Sequence, residues 1–399
     1  LDPLKALTTG IDNIGIGTSS MDALTTGICN VAIGANALGA STTGCLNIAI
    51  GELAMGAAVT TGINNIAIGT VALDALTSGI CNIAIGIHSL GQTQTSCKNI
   101  AIGEETMGNS AVTGINNIAM GTNAMDALTS GICNVAIGTN ALGASTTGCS
   151  NIAIGNLALG AAVTTGAFNV ALGTATMDAL TSGACNVAIG INALGASTTG
   201  CNNIGIGNAA MGASDTTGYN NLAMGQVAMD ALTTGQNNIA MGTNALGAST
   251  TGCHNIALGY IAMGAADTTG ISNIAIGVNA MDALTTGICN IAIGTCALGA
   301  STTGCKNIAL GDTALGGAAV TGNNNVALGA CGMDALTTGT ENVAIGTATL
   351  GASTTGCNNV AIGYIALGGA ITTGINNIAL GNSAMDALTS GADNVAIGR

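Results

Sequence analysis

An all-β solenoid, a β-roll of short stacked coils, is the fold class that this sequence predicts, and three observations predict it. The segment Asn30-Val31-Ala32-Ile33-Gly34 recurs in close variants 23 times between Asn13 and Asn394. A small apolar run closed by Thr-Thr-Gly, as in Met21-Asp22-Ala23-Leu24-Thr25-Thr26-Gly27, separates successive copies. Bulky core formers are scarce, with 1 Phe, 3 Tyr and no Trp in 399 residues, yet 48% of the chain is apolar. That much apolar surface is too high for a disordered Gly-rich linker, and strict repetition at short period points to one stacked array.

Successive motif asparagines stand 17, 17 and then 18 residues apart, so the full unit is 52 residues. The first coil type reads like Thr18 to Gly34 and carries Asp in Met/Leu-Asp-Ala-Leu. The second reads like Ala35 to Gly51, with Cys after Thr-Thr-Gly. The third, Glu52 to Gly69, is one residue longer. An atypical first coil (1–17), seven triplets (18–381) and a final coil (382–399) make 23 coils of 17/17/18 residues in a single repeat domain, 1–399.

Within a coil, Ile-Ala-Ile alternates large and small apolar residues with the period of a strand. Glycines at Gly34, Gly51 and Gly69, and again at Gly27, Gly44 and Gly62, fit two corners that need positive φ or close backbone clearance. The expected coil is therefore two short strands and two turns. A single wide turn of 52 residues is rejected, because Ala, Ile and Leu would not fill the space it encloses. With about 4.8 Å of rise per coil, 23 coils form a rod of about 110 Å. Asn13, Asn30, Asn47, Asn65 and Asn82 then stack in a ladder whose amides bond to the copies above and below.

Variable positions mark solvent. The pair after the strand-end glycine, such as Glu104 and Glu105 or Tyr260 and Ile261, follows no rule and reads as exposed. The residue after Thr-Thr-Gly, usually Ile or Cys as at Ile28, Cys45 and Ile63, reads as inward, and the next one as outward. The strand face carrying Ala reads as flat, uncharged and outward, a surface that invites further copies of the rod.

Charged residues are 6% of the chain, with Lys5, Lys98, Lys306 and Arg399 against 18 acidic side chains. Nucleic acid is thereby disfavoured, since it requires a basic stripe or aromatic platforms. No apolar run approaches the length of a membrane-spanning helix. Leu1 opens the chain without a signal-peptide pattern, so the chain reads as a mature or excised segment.

Asn-x-Ala-Ile-Gly, with its Ala-Leu run and Thr-Thr-Gly turn from Asp12 to Gly398, resembles the head repeats of trimeric autotransporter adhesins and the similar repeats of phage and viral tail fibres. The resemblance implies a β-roll of two-stranded coils, three chains packed side by side, and a place on the outside of a cell or virion.

Fourteen cysteines are the leading candidates for chemistry. Five early members each lie 16 residues before a late one: Cys29 and Cys45, Cys81 and Cys97, Cys133 and Cys149, Cys185 and Cys201, Cys289 and Cys305. One rung of rise and a one-residue offset give a Cα separation of about 6 Å, inside the disulfide range. Bridges within the chain, buried thiols and bridges between chains all remain open at this point. Asp22, Asp74, Asp126, Asp178, Asp230, Asp282, Asp334 and Asp386 recur every third coil, about 14 Å apart by the same rise. At that distance they share no cation, and each reads as a turn cap or a lateral-contact residue. His88 and His254 are the only histidines. No catalytic, cofactor or metal site is expected from these residues, and no enzyme.

The functional expectation is a structural fibre or filament that self-associates as a homotrimer or open polymer, on the outside of a cell or virion. An adhesin or tail-fibre shaft presenting a receptor-binding surface is the alternative. An ice-binding threonine ladder comes third.

Overall fold

A computed structural model describes residues 3–399, which form two compact units, 3–200 and 201–399. Both are all-β parallel solenoids, and no helix occurs among the described residues. The first unit runs from β1 (Ile14–Ile16) to β11 (Val187–Ile189), and the second from β12 (Ile204–Ile206) to β23 (Val395–Ile397). Within each unit a strand pairs in parallel with its neighbours one coil away. Between β2 (Val31–Ile33) and β3 (Ile48–Ile50), Val31 faces Ile48, Ala32 faces Ala49 and Ile33 faces Ile50. Pairing at this offset makes the short coil the rung and excludes the wide 52-residue turn.

Of the two strands expected per coil, one forms a regular ladder. The other side is a chain of turns, and its cause is handedness. After Gly34, at φ +138°, Asn36 and Leu38 lie in the left-handed region at φ 54° and 50°, and Leu46 follows at 56°. Left-handed residues break the two-residue alternation that a strand ladder requires. Hydrogen bonds still join the coils there, but in alternating directions. Asn36 donates its N–H back to Thr18 O (2.9 Å), whereas Leu38 donates forward to Ala54 O (3.0 Å). Only isolated pairs such as Cys45 with Ile63 reach strand-like geometry. The left-handed conformation costs an L-residue roughly 1–2 kcal/mol. Its trace is visible at the position of Leu46, which is Asn at Asn64, Asn116, Asn202 and Asn324, the residue type that bears this conformation most readily.

The core inverts one expectation. Ala32, Ala49 and Ala67 are fully buried, and the larger strand residues face out, with Ile33 37% exposed. The reason is volume. Leu38, Met55 and Leu73 enter the interior from the turn side, also fully buried. Opposite them a methyl group is what fits, since adding methylenes to a filled core forces strain. The face available for contact is therefore the Ile/Val ladder rather than a flat alanine surface.

A second inversion concerns the residue after Thr-Thr-Gly. Ile28 and Ile63 are each 39% exposed, and Cys45 is half-buried. Gly27 takes the inward place, where a side chain would collide with the carbonyl of Gly44.

The 52-residue superperiod is also internal. Leu24 in the first coil type, Ser41 in the second and Thr60 in the third are all fully buried. Ser41 Oγ donates to Thr60 O (3.0 Å), and Thr60 Oγ1 donates to Leu76 O (2.9 Å). The extra residue of the third coil lets Thr60 turn inward and pushes Val59 out to 53% exposure.

Candidate functional site: the outer strand face and its corners

The corner before each strand is held by asparagine. Asn30, Asn47, Asn65 and Asn82 are buried, while Asn13 in the first coil is half-buried. Asn47 Nδ2 donates to Gly62 O (2.9 Å), and its Oδ1 accepts from Asn65 N (3.0 Å) and Asn65 Nδ2 (3.1 Å). Each amide thus joins its own coil to the next and satisfies buried main-chain groups that the turn leaves unpaired. The role is structural.

Asp residues serve the longer coil. Asp74 Oδ1 accepts from Ala57 N (2.8 Å), Asp126 Oδ1 from Asn109 N (3.0 Å), and Asp230 Oδ1 from Ala213 N (2.9 Å). Each of these three donors sits just before the outward bulge of a third-type coil. Asp178 and Asp282 instead receive Ala162 N–H (2.9 Å) and Ala266 N–H (3.0 Å) on their main-chain carbonyls. Asp334 Oδ1 is buried with no hydrogen-bond partner. For Asp22 the bond is again to the main chain, from Ala6 N (3.0 Å), and Asp386 is exposed near the closing end. Nothing in sequence spacing shows these bonds, because each depends on which amide the bulge releases one coil away.

Burial raises the pKa of Asp74, Asp178 and Asp282 above the ordinary value for an aspartate; at Asp74 the N–H groups of Ala57 and Gly56 and the nearby His88 oppose the rise. The folded chain therefore holds the proton more tightly than the unfolded chain, whose Asp titrates near about 3.9. By linkage, these groups favour folding most at low pH, and the contribution is lost as pH rises from that value through the raised one. D178N removes one such group. Its urea midpoint should fall less than the parent's between pH about 4 and neutrality, and an identical pH profile would contradict the assignment.

The two threonines of each turn differ. Thr25 Oγ1 donates to Thr42 O (3.0 Å), while Thr26 and Thr43 point outward. In the longer coil the outward Thr61 donates its Oγ1 to Thr77 O (3.2 Å). Every third rung is thus engaged internally, and the outward hydroxyls do not form one uniform lattice.

Among the described residues no cluster of His, Cys, Asp and Glu is placed to hold a metal ion, and no cavity opens within either unit. No described helix is long and apolar enough to cross a membrane. The most extensive surface feature is the outer strand face. Its two files, Val31, Ile48 and Ile66 beside Ile33, Ile50 and Ile68, continue as Ile, Val, Leu or Met through each unit without a charge.

These features define a class, the tandem-repeat parallel β-solenoids. No protein-family model matches the chain, and no curated protein matches it.

Proposed function

We propose that this chain is a structural, fibre-forming element whose copies associate through the aliphatic outer face of the strand ladder, on the outside of a cell or virion. The supporting observation is that face itself: unbroken, uncharged, and Ile, Val, Leu or Met at every rung of each unit. Covering the exposed two-fifths of one such side chain contributes roughly 0.6–1.2 kcal/mol. About ten outer strand side chains of the first unit are exposed to that extent, so the gross gain of roughly 6–12 kcal/mol is of the size of the roughly 4–15 kcal/mol that association costs. The resemblance to adhesin heads and tail fibres points the same way, and their trimeric packing is the assembly to look for first. A receptor-binding shaft ranks second, because exposed corner residues such as Glu104, Tyr260 and Tyr364 share no ligand chemistry.

Light scattering combined with electron microscopy tests the reading. Ile137 and Ile154 are register partners on neighbouring strands, 38% and 39% exposed. The parent chain is expected to run as a trimer or filament, and I137K/I154K to shift to the mass of one chain with an unchanged circular dichroism spectrum. A parent that is monomeric at all concentrations, or a double variant that assembles as before, would overturn the proposal.

A further inference from the structure

The left-handed turn before each strand brings two cysteine files to the same side of the coil, and we infer from it that Cys29–Cys45, Cys81–Cys97, Cys133–Cys149 and Cys289–Cys305 are disulfide staples between adjacent coils. In an extended chain, neighbouring residues point to opposite faces, which would hold Cys29 and the file of Cys45 apart. Here Cys29, Cys81, Cys133 and Cys289 have φ between 56° and 60°. The alternation is interrupted at that residue, so that Ile28 and Cys29 are both exposed. The late cysteines are half-buried on the same corner, one coil further along.

Register supports the pairing. Leu46 N donates to Ile28 O (3.0 Å), Lys98 N to Ile80 O (3.0 Å), Ser150 N to Ile132 O (2.9 Å) and Lys306 N to Ile288 O (2.9 Å). Each late cysteine therefore lies beside the residue that precedes its early partner, a diagonal of one rung and one residue. That diagonal is about 6 Å between Cα atoms, near the commonest disulfide span. The late thiols are held on the corner by their own turns: Cys45 Sγ donates to Thr43 O (3.4 Å) and Cys149 Sγ to Thr147 O (3.3 Å).

Bridge formation needs an oxidant, here a small-molecule disulfide such as oxidised glutathione. One cysteine thiolate attacks a glutathione sulfur, forming a mixed disulfide and releasing one glutathione thiolate. The partner thiolate then displaces the second glutathione. The two protein protons end on the two reduced glutathiones, and the cysteine pair is oxidised by two electrons.

The molecule carries its own controls. Cys253 and Cys357 occupy late positions, but the matching early positions are Asn237 and Glu341. Cys296 and Cys331 follow strand-end glycines at the opposite corner. After equilibration of the dilute full-length chain with oxidised glutathione, alkylation and fragment mapping should show the four pairs joined within one chain, and Cys253, Cys357, Cys296 and Cys331 alkylated. In C29S, Cys45 becomes alkylatable; in C45S, Cys29 does; and the two single variants and the double variant share one lowered melting midpoint. Uniform alkylation of both sets, or fragments joined between chains instead of within one, would overturn the inference. Because the mapping is done at single-chain dilution, its result does not depend on whether copies associate through the strand face.

Discussion

Alanine at Gly138 should cost about 3 kcal/mol or more. Gly138 has φ +132°, and a Cβ there would stand 2.5 Å from Gly155 O and 2.7 Å from Gly155 C. Backbone lies on both sides of that contact, so no side chain can swing away to relieve it. Gly332 is the control. It occupies the buried position that is Ala37 or Ala54 in other coils, and a Cβ there meets nothing closer than 3.4 Å. Alanine at Gly332 should leave stability unchanged or raise it by about 0.4–1 kcal/mol through the unfolded chain. Urea unfolding of the two variants beside the parent checks both signs, and equal effects would refute the clearance argument. Since each coil touches only its neighbours, hydrogen exchange in G138A should quicken near the substituted coil before it does at distant ones.

Loss of a ladder amide comes next. Asn134 Nδ2 donates to Asn117 Oδ1 (3.1 Å) and Gly148 O (2.8 Å), and its Oδ1 accepts from Asn151 N (2.9 Å). N134A leaves the Asn151 N–H and the Gly148 carbonyl without these partners inside the protein. At about 1–3 kcal/mol for each of the two buried groups left unmade, the expected loss is roughly 2–6 kcal/mol. The midpoint of unfolding and the exchange rate of the Asn151 amide should move together. An unchanged exchange rate would mean that the amide is satisfied in some other way.

Both effects fall on residues that the repeat itself picks out. A buried amide that bonds to its own copy, and a glycine stacked on a glycine, allow one residue type each, so they recur visibly. Orientation was harder to read. Alternation of Ile33 and Ala32 says that the two faces differ, but the inward face is decided by Leu38 and Met55 across the core, and no local pattern carries that. The outward place of Ile28 was hidden for a related reason, since the left-handed residue at Cys29 breaks the rule by which faces are counted. The same left-handed residues make the other side of the coil a chain of turns where two-residue alternation predicts a second strand. Asp74 and Asp126 were legible as turn residues, yet the amides they accept from lie in the preceding coil and follow from its bulge. With the alanines inside, the Ile/Val files lie outside, and this makes the outer strand face the candidate surface.

The internal file of Leu24, Ser41 and Thr60 limits how such a chain can change length. A leucine there is followed by a serine and then by a threonine turned inward through an extra residue. Removing one coil would set a leucine beside the wrong neighbour, or leave a serine facing empty space, and either misfit is penalised in a close-packed interior. Gain or loss of a whole triplet keeps the order of the three coil types, with the same kind of residue meeting across each rung. A gene for this protein can therefore lengthen or shorten its product with little harm only in steps of three coils, each step adding the same increment of contact face.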